Sequence, residues 1–129
     1  MNTAIKSAWM VAGLALGVGL SATSVADLAP GFNAALMADA RPAEEKERDA
    51  ARKPGDVLNF VGINSGMNLL EISAGAGWYT EILSAAVGSN GSVIAQNAPR
   101  FEERVGEAAH ARAERLGNVE VRFTDAGAL

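Results

Sequence analysis

The sequence predicts an α/β fold built on a parallel sheet, and three observations carry that prediction. Short apolar runs, "MNLLEI", "SVIAQ" and "VEVRFT", alternate with segments of helical spacing; glycine-containing turns punctuate them; and the segments between runs are long enough to be crossover helices. The predicted order is helix, helix, β, α, β, α, β.

Each element follows from local signals. In "RPAEEKERDAARK", Arg41 to Lys53, Pro42 stands where a first-turn proline belongs. Glu44 with Arg48 and Asp49 with Lys53 are spaced i,i+4, which predicts an exposed helix with a solvated charged face. Pro54 opens a second short helix through Val57, Leu58 and Val61, with Gly62 as its stop. After a turn at Asn64 to Gly66, strand 1 runs from Met67 to Ile72, an apolar run that suits burial on both faces. Tyr79, Ile82, Leu83 and Ala86 then fall at helical spacing up to Gly88, and "SNGS" turns the chain into strand 2, Ser92 to Gln96. Arg100 to Leu116 is the longest helix, with Phe101, Val105, Ala108, Ala109 and Leu116 as the expected inner face and Gly117 as its stop. Its Arg100, Arg104, Arg112 and Arg115 interleave with Glu102, Glu103, Glu107 and Glu114, the pattern of a solvated face. Strand 3 runs from Val119 to Thr124 and closes on Asp125.

The first 26 residues have the pattern of a secretory leader. Lys6 supplies the positive start, thirteen residues from Ala8 to Leu20 form an apolar stretch, and Ser24-Val25-Ala26 gives the small-x-small cleavage pattern. Thirteen residues fall short of the roughly 20 that cross a bilayer as a helix, so the expectation is a cleaved signal and a periplasmic or secreted product. Residues 27–40 read as a linker with one loose helical turn, and residues 41–129 as the domain. The chain has 11 basic and 15 acidic residues; without Lys6 the net charge is near −5. An acidic chain with no basic stripe argues against nucleic acid as a main partner, and none is expected. It has no cysteine, which rules out disulfides, thiolate metal sites and cysteine nucleophiles. The single histidine, His110, has no second metal ligand at useful spacing, so no metal site is expected.

The chemistry concentrates in "LLEISAGAGWYTEIL", where an acid and a run of small residues separate a strand from a helix. In open α/β sheets ligands bind beyond the carboxyl ends of the strands, and glycines there allow close approach. A dinucleotide fingerprint fits poorly: with Gly75 and Gly77 as the first two glycines, Thr80 falls where the third small residue belongs. The alternative is an acid at the end of strand 1 followed by small residues at alternate positions, Glu71, Ser73, Gly75 and Gly77. This resembles the first motif of class I S-adenosylmethionine-dependent methyltransferases. From Arg41 to Asn97, and more loosely to Leu129, the chain resembles a predicted, often exported bacterial family of that class.

The resemblance implies a Rossmann-like fold, in full a seven-stranded sheet of order 3-2-1-4-5-7-6, of which this chain holds the part up to strand 3. It implies S-adenosylmethionine as cofactor, with Glu71, Ser73, Ala74, Gly75 and Gly77 around its amino-acid end, Gln96 or Asn97 at the ribose, and Asp125 with Ala126 near the adenine. The family commonly has an acid at the end of strand 2, where this chain has only the two amides. Trp78 and Tyr79 are candidates to line the cleft, since aromatic faces attract cations. The methyl acceptor, a small molecule or a protein, and the catalytic groups are not legible. Ending after strand 3 leaves strand 1 as an apolar edge. That pattern fits either a piece of a longer reading frame or an edge covered by another protomer or partner, the latter making the chain a non-catalytic half-Rossmann interaction module that self-associates or docks along strand 1.

Overall fold

The computed structural model describes residues 26–129, so the expected leader lies outside the described residues apart from Ala26. The elements run α1 (Phe32–Leu36), α2 (Ala43–Arg52), α3 (Pro54–Val61), β1 (Asn68–Ile72), α4 (Trp78–Val87), β2 (Ser92–Asn97), α5 (Glu102–Leu116) and β3 (Val119–Phe123), with single 3-10 turns at Pro99–Phe101 and Ala126–Ala128. The strands form one parallel sheet in the order β1-β2-β3. Leu69 lies beside Val93 and Val93 beside Val119, while Ile72 lies beside Gln96 and Gln96 beside Arg122. Among the described residues, no helix is long and apolar enough to cross a membrane.

Because strand side chains alternate between faces, Leu69, Val93 and Val119 form one row against the helices. Val93 is buried in the core with Phe32, Leu58, Ile82, Leu83, Ala86 and Val87, and Leu69 and Val119 pack on that cluster. Helix α4 is the centre of this layer: seven of its ten residues are buried. Asn118 pins its far end, accepting from the Ser84 hydroxyl at 2.5 Å and donating to Gly88 O at 2.9 Å.

Three expectations are corrected. β1 is not buried on both faces: Leu70 and Ile72 are 48% and 59% exposed, because they alternate with Leu69 onto the face that turns to solvent among the described residues. The segment 27–40 is more than a linker; Ala29 and Phe32 are buried, and Ala29 N donates to Ala86 O at 2.7 Å, so apolar burial docks the segment on α4. In α5, Ala108 is exposed and the inner face runs instead through Val105, Gly106, Ala109 and Leu116, where Gly106 brings the helix onto Phe123.

The charged helix faces are also not simply solvated. Arg41, just 2% exposed, donates to Leu36 O at 2.7 Å and to Asp49 Oδ2 at 2.5 Å, and its guanidinium lies 4.0 Å from Glu45 and 3.9 Å from Glu81. Arg112 reaches across to Glu45 at 2.6 Å and to Glu81 at 2.5 Å, and Arg115 reaches Glu81 at 2.7 Å. Three guanidiniums thus face three carboxylates in a partly buried cluster joining α2, α4 and α5. The hydrogen bond to Arg112 holds the Glu45 carboxyl below the usual carboxylate range, and the same bond raises Arg112. The i,i+4 spacing of Asp49 and Lys53 misled because a buried arginine offers Asp49 a stronger partner than a solvated lysine does.

Removing one member leaves the others buried and uncompensated. Glu81→Ala is expected to destabilise the fold by about 3–5 kcal/mol, read as a lower denaturant midpoint at unchanged slope. A loss below about 1 kcal/mol, the range of exposed pairs, would show that water screens the cluster.

Candidate functional site

The strand-to-helix turn after β1 is built from residues that tolerate a left-handed backbone. Ser73, Gly75 and Gly77 have φ of 62°, 63° and 92°. Ser73 pays no glycine-like entropy in the unfolded chain but holds a conformation that side-chain-bearing residues seldom adopt, so the surroundings must impose it. β2 does so: Ser73 N donates to Gln96 Oε1 at 3.3 Å and Ala74 N to Gln96 O at 3.0 Å. Asn97 clamps the middle of the turn, accepting from Gly75 N at 2.8 Å and donating to Gly75 O at 3.0 Å.

The two glycines differ. A Cβ at Gly77 would meet Arg112 Cδ at 2.9 Å, so this residue is needed for packing between α4 and α5. A Cβ at Gly75 would meet no atom within 4 Å, so glycine there serves the left-handed backbone rather than close packing, and the space over it is open. That open space is where a ligand can lie against the backbone.

Glu71 sits at the end of β1 and accepts from the Thr80 hydroxyl at 2.5 Å. Burial pushes its carboxyl above the usual range, against the opposing pull of that hydrogen bond. Burial likewise raises the Tyr79 phenol, and the nearby Glu71 charge adds to the effect. A partly buried carboxylate whose side-chain partner is a neutral hydroxyl is suited to receive a cation.

Two clefts meet at Ser73. The first, of ≈ 690 Å³, is lined by Glu71, Ile72, Ser73, Ala74, Trp78 and Tyr79, with Arg52 and Val57 at its side. Trp78 is fixed from behind: its indole N–H donates to Asp49 at 3.2 Å, and the Arg48 and Arg52 guanidiniums lie 5.5 Å and 5.2 Å from its ring centroid. The second, of ≈ 360 Å³, lies over the end of β2 between Ser73, Gly75, Asn97 and the start of α5.

The structure therefore brings Glu71, Ser73, Ala74, Gly75 and Gly77 together at one turn, as the spacing predicts. Gln96 and Asn97 are each 2% exposed and their amides are committed to backbone, Gln96 also donating to Thr124 O at 2.5 Å. They support the turn; no carboxylate stands at the end of β2. Asp125 and Ala126 are exposed beyond β3 and line neither cleft. Thr80, Arg52, Arg100, Phe101 and Arg104 were not singled out as site residues in the sequence. Only Thr80 carried a signal, as the polar residue one helical step beyond the loop. Among the described residues, no three His, Cys, Asp or Glu groups are placed to hold a metal ion.

The family model described as Protein-L-isoaspartate(D-aspartate) O-methyltransferase matches residues 49–128. Among solved structures, a SAM dependent methyltransferase from Aquifex aeolicus is 33% identical with a TM-score of 0.50, the match covering 66% of this chain and 47% of that one. A protein-L-isoaspartate O-methyltransferase is 32% identical with a TM-score of 0.48, over 57% of this chain and 23% of that one. This chain spans less than half the length of either structure. No curated protein matches it.

The raised Glu71 carboxyl makes stability depend on pH. The folded chain holds this proton more tightly than the unfolded chain, whose glutamates titrate near about 4.3, so the contribution is complete below that value and is lost as pH rises through the folded one. Glu71→Gln, neutral throughout, is expected to be more stable than the parent chain at pH 7, with the difference shrinking as the pH is lowered towards 4. A difference independent of pH in parallel denaturation curves would contradict this.

Proposed function

This chain belongs to the Protein-L-isoaspartate(D-aspartate) O-methyltransferase family, and from that premise we propose that it binds S-adenosylmethionine and presents it for methyl transfer. The observation that carries the reading is the turn after β1: a partly buried carboxylate, Glu71, beside a loop whose Gly75 leaves open space over its backbone. The two clefts meeting at Ser73 suit a ligand with a cationic end and a nucleoside end.

When bound, S-adenosylmethionine supplies an electrophilic methyl group on a sulfonium. Glu71 favours the positive charge of the amino-acid end, and the Trp78 and Tyr79 rings offer aromatic faces to a cation in the same cleft. Ser73, Ala74 and Gly75, held by Gln96 and Asn97, fix the backbone against which the ligand is oriented. Methyl transfer depends chiefly on aligning acceptor and methyl group, so a rigid donor site is this chain's contribution to the rate. The acceptor is a small molecule or a protein. The leader pattern of residues 1–26 supports action in the periplasm or outside the cell.

Titration calorimetry tests the reading. Glu71→Ala is expected to weaken S-adenosylmethionine binding by about tenfold or more, the effect of losing one charge-assisted contact. Gly75→Ala, whose new methyl meets nothing in the chain, should also weaken it by about tenfold or more, since its backbone strain of about 1–2 kcal/mol is common to the free and bound chain and lowers stability, not affinity. Unchanged affinity in both variants, with folding intact by circular dichroism, would contradict the proposal.

A further inference from the structure

The second cleft has a charge that a sulfonium ligand does not call for. Arg100 and Arg104, four residues apart, place their guanidinium carbons 4.7 Å and 4.8 Å from the Phe101 ring centroid. An arginine stacked on an aromatic ring keeps its planar fork ordered and its N–H edge free to donate. Both are exposed side chains that line the cleft with Ser73, Gly75 and Asn97, and no carboxylate lines it; Glu102 and Glu103, also exposed, lie outside it. Asn97, which also lines it, is neutral and already bonded to backbone.

In dinucleotide-binding α/β folds, an acid about 20 residues past the glycine turn accepts from the ribose 2′-hydroxyl, whereas an arginine nearby accommodates a phosphate on the ribose. This chain has the arginine arrangement twice over and lacks the acid. We propose that the second cleft binds adenosine phosphorylated on its ribose ring, with the phosphate held between Arg100 and Arg104. The proposal rests on reading this cleft as the adenosine end of the site. A ligand of this class then competes with S-adenosylmethionine, which makes the site responsive to such nucleotides.

Calorimetry on the full chain with 2′-AMP, 3′-AMP, adenosine and inorganic phosphate tests it, with S-adenosylhomocysteine titrated in parallel. One of the two ribose phosphates is expected to bind about tenfold or more tighter than adenosine, as two charge-assisted contacts allow, and to displace S-adenosylhomocysteine. Arg100→Ala/Arg104→Ala should bring its affinity to within about threefold of adenosine, and Arg100→Lys/Arg104→Lys should recover only part of the difference, since lysine keeps charge without the fork. Equal binding of adenosine and both nucleotides would overturn the proposal, as would binding of inorganic phosphate as tight as the nucleotides. Nucleotide binding that depends on the arginines in a chain that does not bind S-adenosylhomocysteine would support this inference while removing the methyl-donor reading; the reverse result would do the opposite.

Discussion

Glu81 is the carboxylate on which the helical layer depends. It lies in the first turn of α4, 4% exposed, where Arg112 and Arg115 of α5 converge on it and Arg41 approaches from the chain before α2. Burying one charge costs several kcal/mol, and that cost is offset only when every member finds its counter-charge. Three arginines and three acids meet this condition together. Arg41 Nε, buried without a hydrogen-bond partner, faces Glu81 Oε1 at 3.9 Å and is the loosest point of the cluster.

The consequence for the site is geometric. The cluster holds α2 against α4, and α2 carries Asp49, which fixes Trp78, and Arg52, which borders the first cleft. Arg112 also packs its aliphatic stem against Gly77, where the small-residue loop becomes α4. The loop is thus held from two sides, by α5 at Gly77 and by β2 at Ser73 to Gly75. Its left-handed Ser73 persists because both supports over-determine it.

The strands, their parallel order and the loop were legible because glycines mark each change of period and β1, β2 and β3 carry apolar runs. Glu71, Ser73, Gly75 and Gly77 were legible for the same reason: strand, turn and helix are contiguous there. The ion cluster was not, since the pairs that join its helices lie far apart, Arg112 and Glu45 being 67 residues distant, while i,i+4 spacing offered Asp49 a nearer and false partner in Lys53. Gln96 and Asn97 were located but their work was not, because an amide can serve a ligand or a backbone equally well, and only the fold shows that all four of their polar atoms are taken. The inner face of α5 shifted because Gly106, a poor helix former, is used for close approach to Phe123.

The central claim is that the turn after β1 receives S-adenosylmethionine. Backbone amide spectra of the ¹⁵N-labelled chain, recorded with S-adenosylmethionine and with NAD as control, test it most directly. The account predicts saturable shifts at Ser73, Ala74, Gly75 and Gly77 with S-adenosylmethionine and none of comparable size with NAD. Spectra in which the folded chain shows no shift at these amides, or shifts them equally with both ligands, would contradict it.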